Sequence, residues 1–97
     1  MAYQNIYRPS YCYSMAVGTA SAQSPRAIPI GVHAVRLKSS IDCWVSIDGG
    51  ATAVVGSAIP LNAMETEYFL VCPGQVIAVI DNDGTSTGNL SIVEMTR

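Results

Sequence analysis

Residues 41–50, Ile41-Asp42-Cys43-Trp44-Val45-Ser46-Ile47-Asp48-Gly49-Gly50, decide the fold class. Successive side chains of an extended chain point to opposite faces. Ile41, Cys43, Val45 and Ile47 therefore fall on one face, and Asp42, Trp44, Ser46 and Asp48 on the other. One face is fit for a core and the other for a surface, with Trp44 a large aromatic on otherwise polar ground. Asp48-Gly49-Gly50 closes the run. Glycine takes positive φ without steric cost, so this is a hairpin signal, with Ala51–Val55 returning as the next strand.

The same grammar extends in both directions. Upstream, Val32–Lys38 reads as a strand ended by Ser39-Ser40. Downstream come Ala58–Leu61, which Pro60 confines to an edge or loop, Thr66–Val71 ended by Pro73-Gly74, Gln75–Ile80 ended by Asp81-Asn82-Asp83-Gly84, and Asn89–Met95. No stretch shows the i, i+3, i+4, i+7 spacing of an amphipathic helix. Short strands with turn signals roughly every eight to twelve residues predict an all-β chain. We expect a single-domain antiparallel β-sandwich, jelly-roll-like, of about seven to eight short strands.

Val76–Ile80 differs from the rest. Val76, Ala78 and Ile80 lie on one side and Ile77 and Val79 on the other, so both faces are apolar and both call for cover. The covering layer is expected from the N-terminal segment or from another subunit. In the last strand Leu90, Ile92 and Glu94 oppose Ser91, Val93 and Met95.

Residues 1–31 have another character. They hold every tyrosine except Tyr68, and Pro9, Pro25 and Pro29 each remove a backbone donor. The expectation is an extended N-terminal arm over 1–31, loose over 1–12, with one possible strand at Tyr13–Thr19 and a loop at Ala20–Pro29. The sandwich core is expected over 32–97.

Composition points to association. The 97 residues are 49% hydrophobic and only 12% charged, whereas an ordinary domain carries about 25% charged residues. A small domain has a high surface-to-volume ratio and needs polar surface to stay apart from its copies. A chain with so little of it is expected to bury surface against other chains. The net charge of −2 and the scattered Arg8, Arg26, Arg36, Lys38 and Arg97 disfavour nucleic acid, whose binders cluster cations against phosphates. The opening Met-Ala-Tyr-Gln-Asn lacks a basic and then apolar leader, and Val76–Ile80 is far short of the roughly 20 residues that span a bilayer. The reading is synthesis in a cytoplasm with no membrane partner. Cys12, Cys43 and Cys72 are odd in number and widely spaced, and are read as reduced, mostly buried thiols.

The search for chemistry finds no catalytic set, cofactor or metal site. His33 is the lone histidine and sits in a strand-like run, without a nucleophile–base–orienter arrangement around it. Asp81-Asn82-Asp83-Gly84 opens like a calcium loop, but the twelfth position counted from Asp81 is Ile92 where that loop needs glutamate; a hairpin turn is the plainer reading. Glu65 and Glu67 share a side of one strand, a solvated start and not a pair flanking a cleft. Trp44, Tyr68 and Phe69 could form a sugar platform, but only Trp44 is clearly placed outward, where an interface anchor fits it better.

Three pieces of the chain resemble a known group. Cys43-Trp44-Val45 with the Gly49–Ala53 turn, Phe69–Gly74 and Leu90–Glu94 are similar to the small β-sandwich virion proteins of tailed bacteriophages, over about two thirds of the chain. The resemblance implies a virion structural protein made in the host cytoplasm, specifically a capsid decoration protein or a head or tail accessory protein. Its implied partners are its own copies, a trimer being plausible, and the major capsid protein or another virion protein. The alternative is a carbohydrate-binding or adhesive module of a phage tail or head fibre. The residues expected at the interface are Tyr3, Tyr7, Tyr11, Tyr13, Trp44, Ile77 and Val79.

Overall fold

The computed structural model describes residues 8–83 and 86–96. Among them run eight strands and no helix: β1 (Arg8–Val17), β2 (Ala22–Gln23), β3 (Ala34–Ser39), β4 (Cys43–Asp48), β5 (Ile59–Leu61), β6 (Thr66–Leu70), β7 (Val76–Asp81) and β8 (Gly88–Thr96). They form two antiparallel four-stranded sheets. Sheet I has the order β1-β8-β3-β6 and sheet II the order β2-β7-β4-β5. β1 pairs with β8, β2 with β7, β3 with β6 and β4 with β5. The chain is one long antiparallel ribbon with its tip between β4 and β5, rolled so that alternate pairs fall in alternate sheets. This is the jelly-roll arrangement of an eight-stranded sandwich.

The core lies between the sheets and is built by alternation. Sheet I contributes Met15, Val17, Val35, Leu37, Leu90 and Ile92; sheet II contributes Cys43, Val45, Leu61, Ile77 and Val79. Each is in phase with the others on its strand, so the period-two pattern of the sequence maps directly onto the buried side.

The N-terminal segment is more integrated than an arm. β1 begins at Arg8, not at Tyr13, and pairs with β8 as far as Val17↔Gly88. The proline that argues against a strand is absorbed at the sheet edge. The register shifts between Pro9 and Tyr11, and Ser10 Oγ donates to the Glu94 carbonyl. An edge strand tolerates the missing donor. β2 is only two residues long, but the chain beyond it still follows β7: Ser24 N–H donates to the Ile77 carbonyl and Ile28 N–H to that of Gln75. Tyr3 and Tyr7 lie outside the described residues.

Two turns differ from expectation. Residues 51–55 form no strand, and neither Gly49 nor Gly50 takes the left-handed conformation a two-residue hairpin requires. The segment instead folds over the outer face of sheet II, where buried Ala51 and Ala53 pack on Ala78. Two side chains hold it there: Gln23 Nε2 donates to the Ala51 carbonyl, and Ser21 Oγ accepts from the Ala53 amide. This clasp is the second cover that the doubly apolar β7 demands, and it comes from the same chain. β7 and β8 likewise form no hairpin, because they belong to different sheets. The Pro73-Gly74 turn is as expected, with Gly74 at φ 90° and the Gln75 amide donating to the Cys72 carbonyl.

Candidate interaction face and the buried ionic tie

Of the residues expected at an interface, the structure places few together on a surface. Ile77 and Val79 are fully buried between the sheets, so they are core residues and not contact residues. Trp44 does lie on the outer face of sheet II, but it is half-buried and its Nε1–H donates to Asn82 Oδ1 at 2.7 Å. Tyr11 is 47% exposed, while Tyr13, with which it stacks at 5.5 Å, is half-buried. His33 is exposed, and its backbone only links neighbouring strands, donating to Met95 and accepting from Val71.

More exposed apolar side chains lie elsewhere, Ile30 at 91% and Met64 at 63% singly and two others together on β6. Tyr68 is 62% and Leu70 78% exposed, both on the outward side of the edge strand β6. Cross-strand register builds the face around them. Tyr68 stands opposite Arg36, which stands opposite Val93, which stands opposite Cys12. Leu70 stands opposite Ala34, and Ala34 opposite Met95. The outer face of sheet I is thus apolar and aromatic around Arg36, while Lys38 lies in a polar row with Thr66, Ser91 and Ser14. Phe69, between Tyr68 and Leu70, turns inward against the core. Alternation within Thr66–Leu70 was the available signal for this division. Sequence alone does not say which side of β6 meets the other sheet.

Beneath one edge of sheet I sits an ionic tie that sequence reading missed. Glu94 is buried in phase with Leu90 and Ile92, and Arg26, from the β2–β3 connection, donates to it from Nη2 to Oε1 at 3.0 Å. The guanidinium also lies 4.3 Å from the centre of the Tyr11 ring. Ser24 Oγ donates to the Arg26 carbonyl and accepts from the Ile77 amide, which fixes the connection that carries Arg26. The Tyr13 hydroxyl and Glu94 Oε2 are buried without a hydrogen-bond partner from the protein. Glu94 and Ser24 are near enough to bias the titration of that hydroxyl without completing a hydrogen bond to it. Burial first, and then the Glu94 charge, push the Tyr13 pKa up to about 12.

The thiols divide differently from expectation. Only Cys43 is buried; Cys12 and Cys72 are exposed. Burial pushes the Cys43 pKa up, against an opposing hydrogen bond from Ser39, and Asp42 and Asp81 add to the rise. Among the described residues no cavity opens in the molecule, and no three His, Cys, Asp or Glu side chains gather as metal ligands would. No described helix is long and apolar enough to cross a membrane.

These features define an all-β, two-sheet jelly-roll sandwich with one apolar, cation-bearing outer face. Comparison of the chain with protein families, with curated proteins and with solved structures gives no match.

Proposed function

We propose that this protein is a non-enzymatic structural component that works by protein–protein contact, and that its setting is a virion, where it self-associates and decorates the assembled capsid. The observation that carries the contact reading is the outer face of sheet I, where Tyr68 and Leu70 stand mostly in solvent on a chain with only 12% charged residues. Jelly rolls serve in viral capsid proteins and equally in lectins and cupins, so the fold supports the class without choosing the setting. The virion setting rests on the resemblance of Cys43–Val45, Phe69–Gly74 and Leu90–Glu94. A decoration protein that binds only the assembled shell stabilises it by mass action, and several weak contacts in one oligomer raise the avidity.

The test is co-sedimentation of the purified protein with phage capsids, paired with light scattering of the protein alone. The expected result is a multimer that saturates the capsid surface and raises the temperature at which capsids fall apart. A monomer that ignores capsids sinks the proposal.

A further inference from the structure

Charge in this molecule is divided between its two sheets. The strands of sheet II contain no Lys or Arg. Asp42, just before β4, and Asp48, its last residue, stand exposed on the outer side of this sheet, where the 51–55 segment covers β7. Sheet I carries both signs: Glu67 and Glu94 fall in phase with its inward residues, Glu67 exposed at the edge, and the cations face outward. By register its outer face comprises alternate residues of β1, β8, β3 and β6, and the only charges among them are Arg36 and Lys38. Neither forms an ion pair among the described residues, where Arg26 pairs with Glu94 under the opposite side of that sheet. Arg36 therefore stands unneutralised among the exposed groups Tyr68, Leu70 and Cys12, with Lys38 next to it on the same face in a polar row.

What covers such a face must bring carboxylates. A second copy presenting the same face would set Arg36 and Lys38 against their own counterparts with no acid between them, and like charges at a contact are costly. Nucleic acid would find two cations and one exposed ring, little for a backbone that is bound through many phosphate contacts. The outer side of sheet II of a second copy supplies acid in Asp42 and Asp48, and the segment that covers its β7 supplies apolar surface in the exposed Val54 and Val55.

We propose that the chain self-associates head to tail: the outer face of sheet I, through Arg36, Lys38, Tyr68 and Leu70, docks on the acidic outer side of sheet II of a second copy. The proposal rests on the reading of this protein as one that assembles, and it adds the polarity of the contact. A heterologous contact closes into a ring or propagates, unlike the two-fold contact of a symmetric dimer.

The test uses two variants of the whole chain, Arg36→Glu/Lys38→Glu and Asp42→Lys/Asp48→Lys, studied by sedimentation velocity against the wild type. Far-UV circular dichroism and the urea midpoint verify folding, with Arg36→Gln/Lys38→Gln and Asp42→Asn/Asp48→Asn as milder substitutes where a reversal unfolds the chain. The wild type is expected to associate, more weakly as salt rises, and each variant alone to associate at least about tenfold more weakly. Mixed in equal amounts, one variant offers an intact cationic face and the other an intact acidic side. They are expected to associate again when mixed, because the intact cationic face meets the intact acidic side and the two reversed faces are complementary to each other as well. Association of the Asp42→Lys/Asp48→Lys variant at wild-type strength overturns the head-to-tail contact but leaves the assembling reading intact. A wild type that stays monomeric at every concentration overturns both. A single-stranded oligonucleotide that binds the wild type through Arg36 and Lys38 while the protein remains monomeric does so as well.

Discussion

Arg26 Nη2 and Glu94 Oε1 lie 3.0 Å apart, joining an arginine side chain 38% exposed to a glutamate side chain only 1% exposed. The pair links two parts of the chain 68 residues apart in sequence. It binds the β2–β3 connection to β8, next to the point where β1 bulges. A carboxylate in this position is costly to bury alone, and the half-exposed guanidinium offsets that cost while staying partly hydrated.

Removing the cation should therefore be worse than removing both charges. Arg26→Met is expected to destabilise the fold by about 2–3 kcal/mol, between the values for surface and fully buried pairs. Arg26→Met with Glu94→Gln should recover much of that loss. Urea denaturation of the single and double variants measures it. Equal loss in the two would mean that the pair contributes through packing and not through charge.

The Tyr13 hydroxyl gives the fold an alkaline limit. Its folded-state pKa of about 12 stands above the ordinary value of 10.0. Between those values the unfolded chain has released the phenol proton while the folded one still holds it. The stability associated with neutral, buried Tyr13 is thus fully present below pH 10 and is lost as pH climbs towards 12. Tyr13→Phe should flatten that part of the pH–stability curve. At neutral pH it should cost less than about 1 kcal/mol, since the hydroxyl has no hydrogen bond from the protein to lose. Urea midpoints from pH 8 to 12 for both proteins decide the matter.

The sequence pattern carries the strands well and the surfaces poorly, for physical reasons visible at particular residues. Period-two alternation identifies Cys43, Val45, Leu90 and Ile92 as core because each strand meets one partner sheet. β7 defeats the same logic. It is apolar on both sides, and nothing local says that Ala51 and Ala53 return to cover Ala78; that contact is held by the Ala53 amide donating to Ser21 and by Gln23 donating to Ala51, residues distant in sequence. Ile77 and Val79 consequently read as surface for a partner when they are interior. Strand order is equally non-local, since β1 pairs with β8 from the far end of the chain. Glu94 was legible in part: its phase with Leu90 and Ile92 places it inward, but Arg26 as its partner follows only from the fold.

Interior and contact residues should separate cleanly under substitution. Ile77→Ala removes fully buried methyl and methylene groups, and a loss of about 2–4 kcal/mol is expected. Leu70→Ser changes a side chain 78% exposed, and its effect on unfolding should stay within about 0.5 kcal/mol. Its effect should fall on association: a larger dissociation constant in sedimentation at unchanged urea midpoint. A Leu70→Ser protein that unfolds easily would place Leu70 in the fold's own packing instead.

The clasp over β7 makes the sharpest demand on side-chain size. Ala78 is fully buried although it points away from the main core, because Ala51 and Ala53 lie directly on it. Three alanines in contact leave the crossing segment close to the sheet, at a distance that Gln23 and Ser21 can bridge to its backbone. A larger residue at 78 has to lift that segment and stretch both hydrogen bonds. Ala78→Leu is accordingly expected to destabilise by about 1–3 kcal/mol despite the added apolar surface, as overpacking does. The fault should be local. Hydrogen exchange should quicken at the Ala53 amide, whose acceptor is Ser21 Oγ, while amides of β3 and β8 keep their protection. If exchange rises equally in both sheets, the clasp is not a separable cover, and β7 depends on it for the integrity of the whole sandwich.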